Sequence, residues 1–226
     1  TSTTAPQAMV PEYTFDDLPE WDDKTKLAKE KEMLGVYLSA QPLDSYRLHM
    51  QWLNASSFAQ AREQSGTVIC CGSIKQHKVI TTKKGDRMAF VTLEDDDTTA
   101  EIVVFPKVFQ MVQEHLDTYT IFVVKGTRDE NADTCKIKAQ VLLPIDILFD
   151  DWNHIQSVTF TLPHTCDQET INLLHRKLTP GPTPCYIQFS ENEETLLATP
   201  KTQYFCDVSS LQELHNNGIG IACTLA

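Results

Sequence analysis

Residues Thr81–Asp95, TTKKGDRMAFVTLED, hold three signals in one short stretch. A basic turn, Lys83-Lys84-Gly85-Asp86-Arg87, opens into an alternating run, Met88–Leu93, and that run ends in the carboxylates Glu94–Asp97. Gly85 suits a turn that needs φ > 0. Successive strand side chains point to opposite faces, so Ala89, Val91 and Leu93 share one side and Met88, Phe90 and Thr92 the other. The aliphatic set fills a core, which leaves Phe90 two readings: an exposed platform, or a ring buried against a neighbouring domain.

Working outward, Thr67–Ile80 reads as a long strand broken by Gly72, and Ala100–Phe105 as another strand. Pro106–Leu116 carries Val108, Phe109, Met111, Val112 and Leu116 at the spacing of a short amphipathic helix. Thr120–Thr127 and Cys135–Leu143 are two further strands. The order is β-β-β-α-β-β, which is that of the OB-fold: an all-β, five-stranded Greek-key barrel whose face and loops bind oligonucleotides. Phe105, Phe109 and Phe122 are assigned to its core.

The chain has 226 residues and a formal net charge of −12. Residues 1–65 contribute −4, residues 66–145 contribute −1 and residues 146–226 contribute −7. Such a chain cannot hold nucleic acid by a general field, because phosphate binding rests on neutralising cations. It needs a local patch, and Lys75–Arg87 is one: Lys75, Lys78, Lys83, Lys84 and Arg87 stand against Asp86 alone, net +4. These five cations, with Phe90 as the stacking ring, are the candidate nucleic-acid site.

The flanks read differently. Residues 1–19 form a polar lead-in with neither the charged start nor the apolar core of a signal peptide. The chain starts on Thr1 and is read as a piece of a longer one. Residues 20–65 form a helical collar: Lys24–Leu38 with Leu27, Leu34 and Leu38 on one face, then Leu43–Leu53 and Ser57–Glu63. Gly35 marks a close contact or an early helix end. The barrel domain spans residues 66–145, and Pro144–Asn153 reads as a linker. Residues 154–226 alternate β-α-β-β-α-β, a split βαβ pattern and a small α/β domain for protein interaction, interrupted by the breaker Pro180–Pro184.

Seven cysteines, none in a CxxC, fit small buried groups in a reducing cytoplasm. His164-Thr165-Cys166 has no second ligand pair at a useful spacing, so no metal site is assigned. Glu94–Asp97 would suit metal-assisted phosphoryl transfer. Adjacent strand residues diverge, however, so the cluster reads as a solvated hairpin turn. No catalytic residue and no cofactor is assigned, and no apolar run approaches the ~20 residues of a membrane helix.

Lys29–Asp44 (KEKEMLGVYLSAQPLD), Lys83–Asp95 (KKGDRMAFVTLED) and Glu101–Pro106 (EIVVFP) resemble the bacterial replicative DNA polymerase III alpha family, and the tail with its PGPTP break is similar to that family's C-terminal domain. The resemblance covers residues 20–226. It implies that the barrel contacts single-stranded template, that the tail docks the tau subunit of the clamp loader, and that the polymerase palm lies upstream of this chain. There are departures. Ala40-Gln41 stand where the family has Gly-His, and Thr99 or Ala100 where it has Gly. The family's clamp-binding peptide is not legible in Gln7-Ala8-Met9-Val10 or Asp16-Asp17-Leu18, so sliding-clamp binding is not expected of this chain. Two alternatives stand beside this reading: a protein-interaction scaffold, and the OB anticodon-binding module of a tRNA synthetase.

Overall fold

The structure is a computed structural model and describes residues 20–21, 23–35, 39–163, 166–191 and 194–226. The two weak clamp-peptide matches and Leu38 of the first helix fall outside these residues. The chain divides into two units, residues 1–40 and 41–226.

In the first unit, α1 (Asp23–Leu34) ends just before Gly35, whose φ is +75°. Gly35 marks the early helix end: among the described residues, nothing lies within 4 Å of where a Cβ would sit, so no close contact there calls for it. The helix surface is charged, with Lys29 bonded to Glu32 at 2.7 Å. Leu34, expected on an apolar face, is 57% exposed.

The second unit begins with a turn of 3-10 helix (Asp44–Tyr46), α2 (Arg47–Trp52) and α3 (Phe58–Glu63). The division at Ala40 thus separates α1 from α2 and α3, which the sequence grouped as one collar. A capping box starts α3: Ser57 accepts from Gln60 N at 3.2 Å, and the Gln60 side chain accepts from Ser57 N at 3.0 Å.

The barrel follows in the expected order: β1 (Thr67–Thr81), β2 (Arg87–Glu94), β3 (Thr99–Val104), α4 (Pro106–Val112), β4 (Ile121–Arg128) and β5 (Lys136–Pro144). Its strands close as β1-β2-β3-β5-β4, with β3 and β5 forming the parallel pair. Gly72 does not break β1. A Cβ there would stand 2.9 Å from the Phe58 ring and 3.0 Å from Glu94 O, so the missing side chain lets α3 seat Phe58 against the barrel. The irregularity falls instead between Ile74 and Gln76, where the register with β2 shifts. Ala89, Val91, Leu93, Ile102, Val104, Phe122 and Ile137 fill the interior, and α4 adds Phe109 and Val112.

Beyond the barrel, the expected linker is a helix. β5 runs directly into α5 (Ile145–Asp151), and Ile145, Leu148, Phe149 and Trp152 are buried. A second core gathers these with Trp52 and Leu53 of the α2 end, the outward-facing Cys71, Ile121 and Val123 of the barrel, and Phe160, Leu211 and Leu214 of the tail. An apolar core formed by several elements excludes water from all of them at once, so residues 144–153 weld rather than link.

In the tail, β6 (Ile155–Thr161), α6 (Gln168–Lys177), β7 (Thr179–Thr183), β8 (Cys185–Glu191), β9 (Glu194–Ala198), β10 (Tyr204–Phe205), α7 (Val208–Asn216) and β11 (Gly220–Leu225) build two sheets. The four-stranded sheet runs β11-β6-β8-β9, and β6 and β8 are adjacent and parallel, joined through α6. The βαβ unit is therefore not split. The expected breaker Pro180–Pro184 is mostly strand β7, paired with β10 as a two-stranded sheet of its own, a setting in which proline is tolerated. Asp207 caps α7, accepting from Ser209 Oγ at 2.5 Å, Ser210 N at 2.9 Å and Ser210 Oγ at 2.8 Å, and those bonds, the one from Ser209 first, pull its pKa down to about 2.

Candidate nucleic-acid interface

The β1–β2 hairpin builds its tip from backbone and Thr82. Thr82 N donates to Asp86 O at 2.8 Å, and Gly85 N donates to Thr82 O at 3.0 Å. Thr82 Oγ1 accepts from Lys84 N at 3.3 Å and Asp86 N at 3.2 Å. Gly85 has φ +90°, as its place in the turn requires. These four bonds shape the tip, and Lys83 and Lys84 are exposed on it. Arg87, at the base of β2, lies with its guanidinium carbon 5.3 Å from the centroid of Phe109.

Phe90 is half-buried while Ala89, Val91 and Leu93 are sealed inside, so the ring sits on the outer face of the barrel. It faces Lys78 in the β1–β2 register. Both line a cleft of about 390 Å³ with Gln76, His77, Thr92, Glu101 and Lys136. Lys136 Nζ lies 5.8 Å from the Phe90 centroid and 2.6 Å from Glu101 Oε1. Three register steps along the hairpin, about 10 Å of strand, separate Phe90 from Arg87. The structure thus brings Lys78 and Phe90 into one cleft and places Lys83, Lys84 and Arg87 farther along the same hairpin. Lys75 stands apart from them at the register shift and is held by Glu94 at 3.1 Å.

Lys136 and Glu101 were not singled out from the sequence. They are partners across the parallel β3–β5 pair, a closure that no hairpin signal announces. The alternation Lys136, Lys138, Gln140 along β5, with Ile137 and Ala139 buried between them, was the available clue. Phe105, assigned to the core, is 45% exposed. It lies one residue past β3, at the cap position before Pro106, with the outward parity opposite to that of Ile102 and Val104.

The acidic turn is more built than a solvated loop. Asp95 accepts from Thr98 N at 2.8 Å and Asp97 N at 3.1 Å, and from Phe58 N at 2.7 Å, which ties the start of α3 to the turn. Asp96 pairs with Arg47 at 2.6 Å and Glu94 with Lys75 at 3.1 Å. These carboxylates serve separate partners instead of converging on one point. Burial raises the thiols of Cys71, Cys206 and Cys223 to about 12 and that of Cys185 to about 11; at neutral pH these are protonated packing groups, not thiolate ligands. No helix among the described residues is long and apolar enough to cross a membrane.

A closed five-stranded barrel in this strand order has the OB-fold architecture, and residues 68–145 match the family tRNA_anti-codon, described as an OB-fold nucleic acid binding domain. The chain is similar to DNA polymerase III subunit alpha of Halalkalibacterium halodurans, 26% identical over 211 residues, which is 92% of this chain and 19% of that protein. It is 33% identical over 128 residues to the same subunit of Vibrio cholerae, 55% of the chain and 11% of the relative, and 35% identical over 133 residues to that of Saccharopolyspora erythraea, 57% and 11%. The resemblance to the C-terminal OB region of DNA polymerase III alpha subunits therefore holds, and the chain spans 11–19% of the length of these relatives.

Proposed function

We propose that this chain serves as a single-strand-binding and partner-docking region of a DNA polymerase III alpha subunit acting in DNA replication. The observation that carries the reading is the outer cleft, where Lys78, Phe90 and Lys136 converge beside the cationic hairpin tip. An aromatic face offers any base a stacking partner, and lysines beside it meet the phosphates without reading sequence. An anticodon-binding role would use the same barrel; similarity to one polymerase subunit over 92% of the chain, and to others over about half of it, favours the template strand.

The tail is the proposed dock for the tau subunit. Residues 146–226, α5 and the tail together, carry a net charge of −7, which repels DNA and suits a protein partner. Leu214 is fully buried and offers no anchor, whereas Leu196 and Leu197 on β9, 43% and 59% exposed, supply apolar anchors at the sheet edge. The seven cysteines are all free thiols, which suits a reducing cytoplasm.

The test is a titration of labelled single-stranded DNA, beside duplex and tRNA, across a salt series. Changing Lys83, Lys84 and Arg87 together to Glu is expected to weaken binding to all single strands alike and to flatten the salt dependence. Unchanged binding by that variant would make the hairpin a solvated turn and favour the scaffold reading.

A further inference from the structure

The cations of the β1–β2 hairpin and of the open wall of the barrel fall into two kinds. Lys136 is held by Glu101 at 2.6 Å, Lys75 by Glu94 at 3.1 Å and Lys138 by Asp129 at 3.1 Å, with all six side chains partly exposed. The Asp129 carboxyl sits below its usual range, because it accepts from Lys138 and from Asn131 N. Among the described residues, Lys78, Lys83 and Lys84 have no carboxylate at ion-pair distance, and Arg87 rests on the Phe109 ring. Glu101 is also a lining residue of the cleft that holds Phe90.

Exposed pairs of this kind contribute only about 0–1 kcal/mol to folding, so their effect on stability is small. Their effect on a phosphate strand is larger. A lysine with a carboxylate beside it brings no net charge to the strand, so the salt ions around that phosphate stay in place. When the lysine turns to the phosphate, the carboxylate remains nearby and repels it.

We infer that Glu94 and Glu101 are affinity-setting residues of the single-strand site: they act as internal counter-ions that compete with backbone phosphates for Lys75 and Lys136. This deepens the proposed single-strand function and rests on it. The site then binds with the net charge of Lys78, Lys83, Lys84 and Arg87 only. Binding is weaker and less salt-dependent than the cation count of the face suggests, and the strand exchanges quickly.

The experiment compares the parent chain, Glu94→Gln/Glu101→Gln, the charge-matched control Asp150→Asn/Glu169→Gln on exposed positions remote from the cleft, and the Lys83/Lys84/Arg87→Glu variant. Each is titrated with fluorescent oligo(dT) over a salt series. At about 0.7 per phosphate, four net cations give a log–log slope of about −2.8 and six give about −4.2. The inference predicts the first slope for the parent, and for Glu94→Gln/Glu101→Gln the steeper slope with several-fold tighter binding at low salt. The control is expected to keep the parent slope. Parent-like slope and affinity in Glu94→Gln/Glu101→Gln, in a chain that the Lys83/Lys84/Arg87→Glu change still disables, overturn the inference alone. Equal tightening by the control overturns it too, since the effect is then one of total charge. A parent that does not bind at all removes the single-strand reading and the inference with it.

Discussion

The barrel has two walls with opposite surroundings. Along β1 and β4, the run Cys70-Cys71-Gly72 and the run Ile121–Val124 are buried on both faces, one set of side chains turned into the barrel and the other into the core shared with α5 and the tail. Along β2, β3 and β5 the inner set is equally sealed, but the outer set includes the partly or fully exposed Phe90, Thr92, Glu101, Lys136 and Lys138, with Val103 the buried exception. Lysine shows the contrast most directly. On the covered wall, Lys125 Nζ donates to the carbonyls of Leu225 at 2.7 Å and Ala226 at 3.2 Å, tying β11 to the barrel. On the open wall, the lysines meet carboxylates at the surface or, among the described residues, nothing charged. One wall is a foundation, the other an interface, and the difference lies only in what the alternate residues face.

The largest expected effect breaks the foundation. Trp152 is fully buried, adopts φ +60°, and packs its ring 5.3 Å from that of Phe205. Trp152→Ala should cost about 3–5 kcal/mol, as other large-to-small core changes do. Because the core is shared, barrel and tail should unfold together; labelling of the buried thiols Cys70 (barrel) and Cys223 (tail) during a urea titration, read by mass spectrometry, would report each separately. Exposure of Cys223 well before Cys70 would restore the picture of two linked but independent domains.

A smaller effect sharpens the interface. Phe90→Ala should weaken single-strand binding by about 1–3 kcal/mol through lost base stacking. The salt slope should stay fixed, because stacking neutralises no phosphate. A half-buried outer ring carries little of the core, so the thermal midpoint should hardly move. A large fall in midpoint with binding unchanged would mark Phe90 as a packing residue.

The same contrast explains what was legible in the sequence. On the open wall one face alternates with the other, so Met88–Leu93 declared its strand, its inner triplet and Phe90 without further help. On the covered wall both faces are apolar, and alternation vanishes. Cys70 and Cys71 then look like neighbours in one core when they belong to two. For that reason Pro144–Asn153, whose Ile145, Leu148, Phe149 and Trp152 complete the second core, looked like a linker: a seven-residue helix is too short to display a period. Gly72 looked like a break because nothing local reveals that Phe58, fourteen residues earlier, needs the space. Of the site, the hairpin cations and Phe90 were readable because they are consecutive or alternate. Glu101 and Lys136 were not, because a parallel pairing between strands thirty residues apart brings them together.

Hydrogen exchange of the whole chain with and without saturating oligo(dT) tests the contrast between the walls most directly. The account predicts slowed exchange in residues 82–92 and 136–138, on the hairpin and the open wall, with residues 121–124 and 220–225 unchanged. Protection confined to the tail, or to β4 and β11, would contradict it.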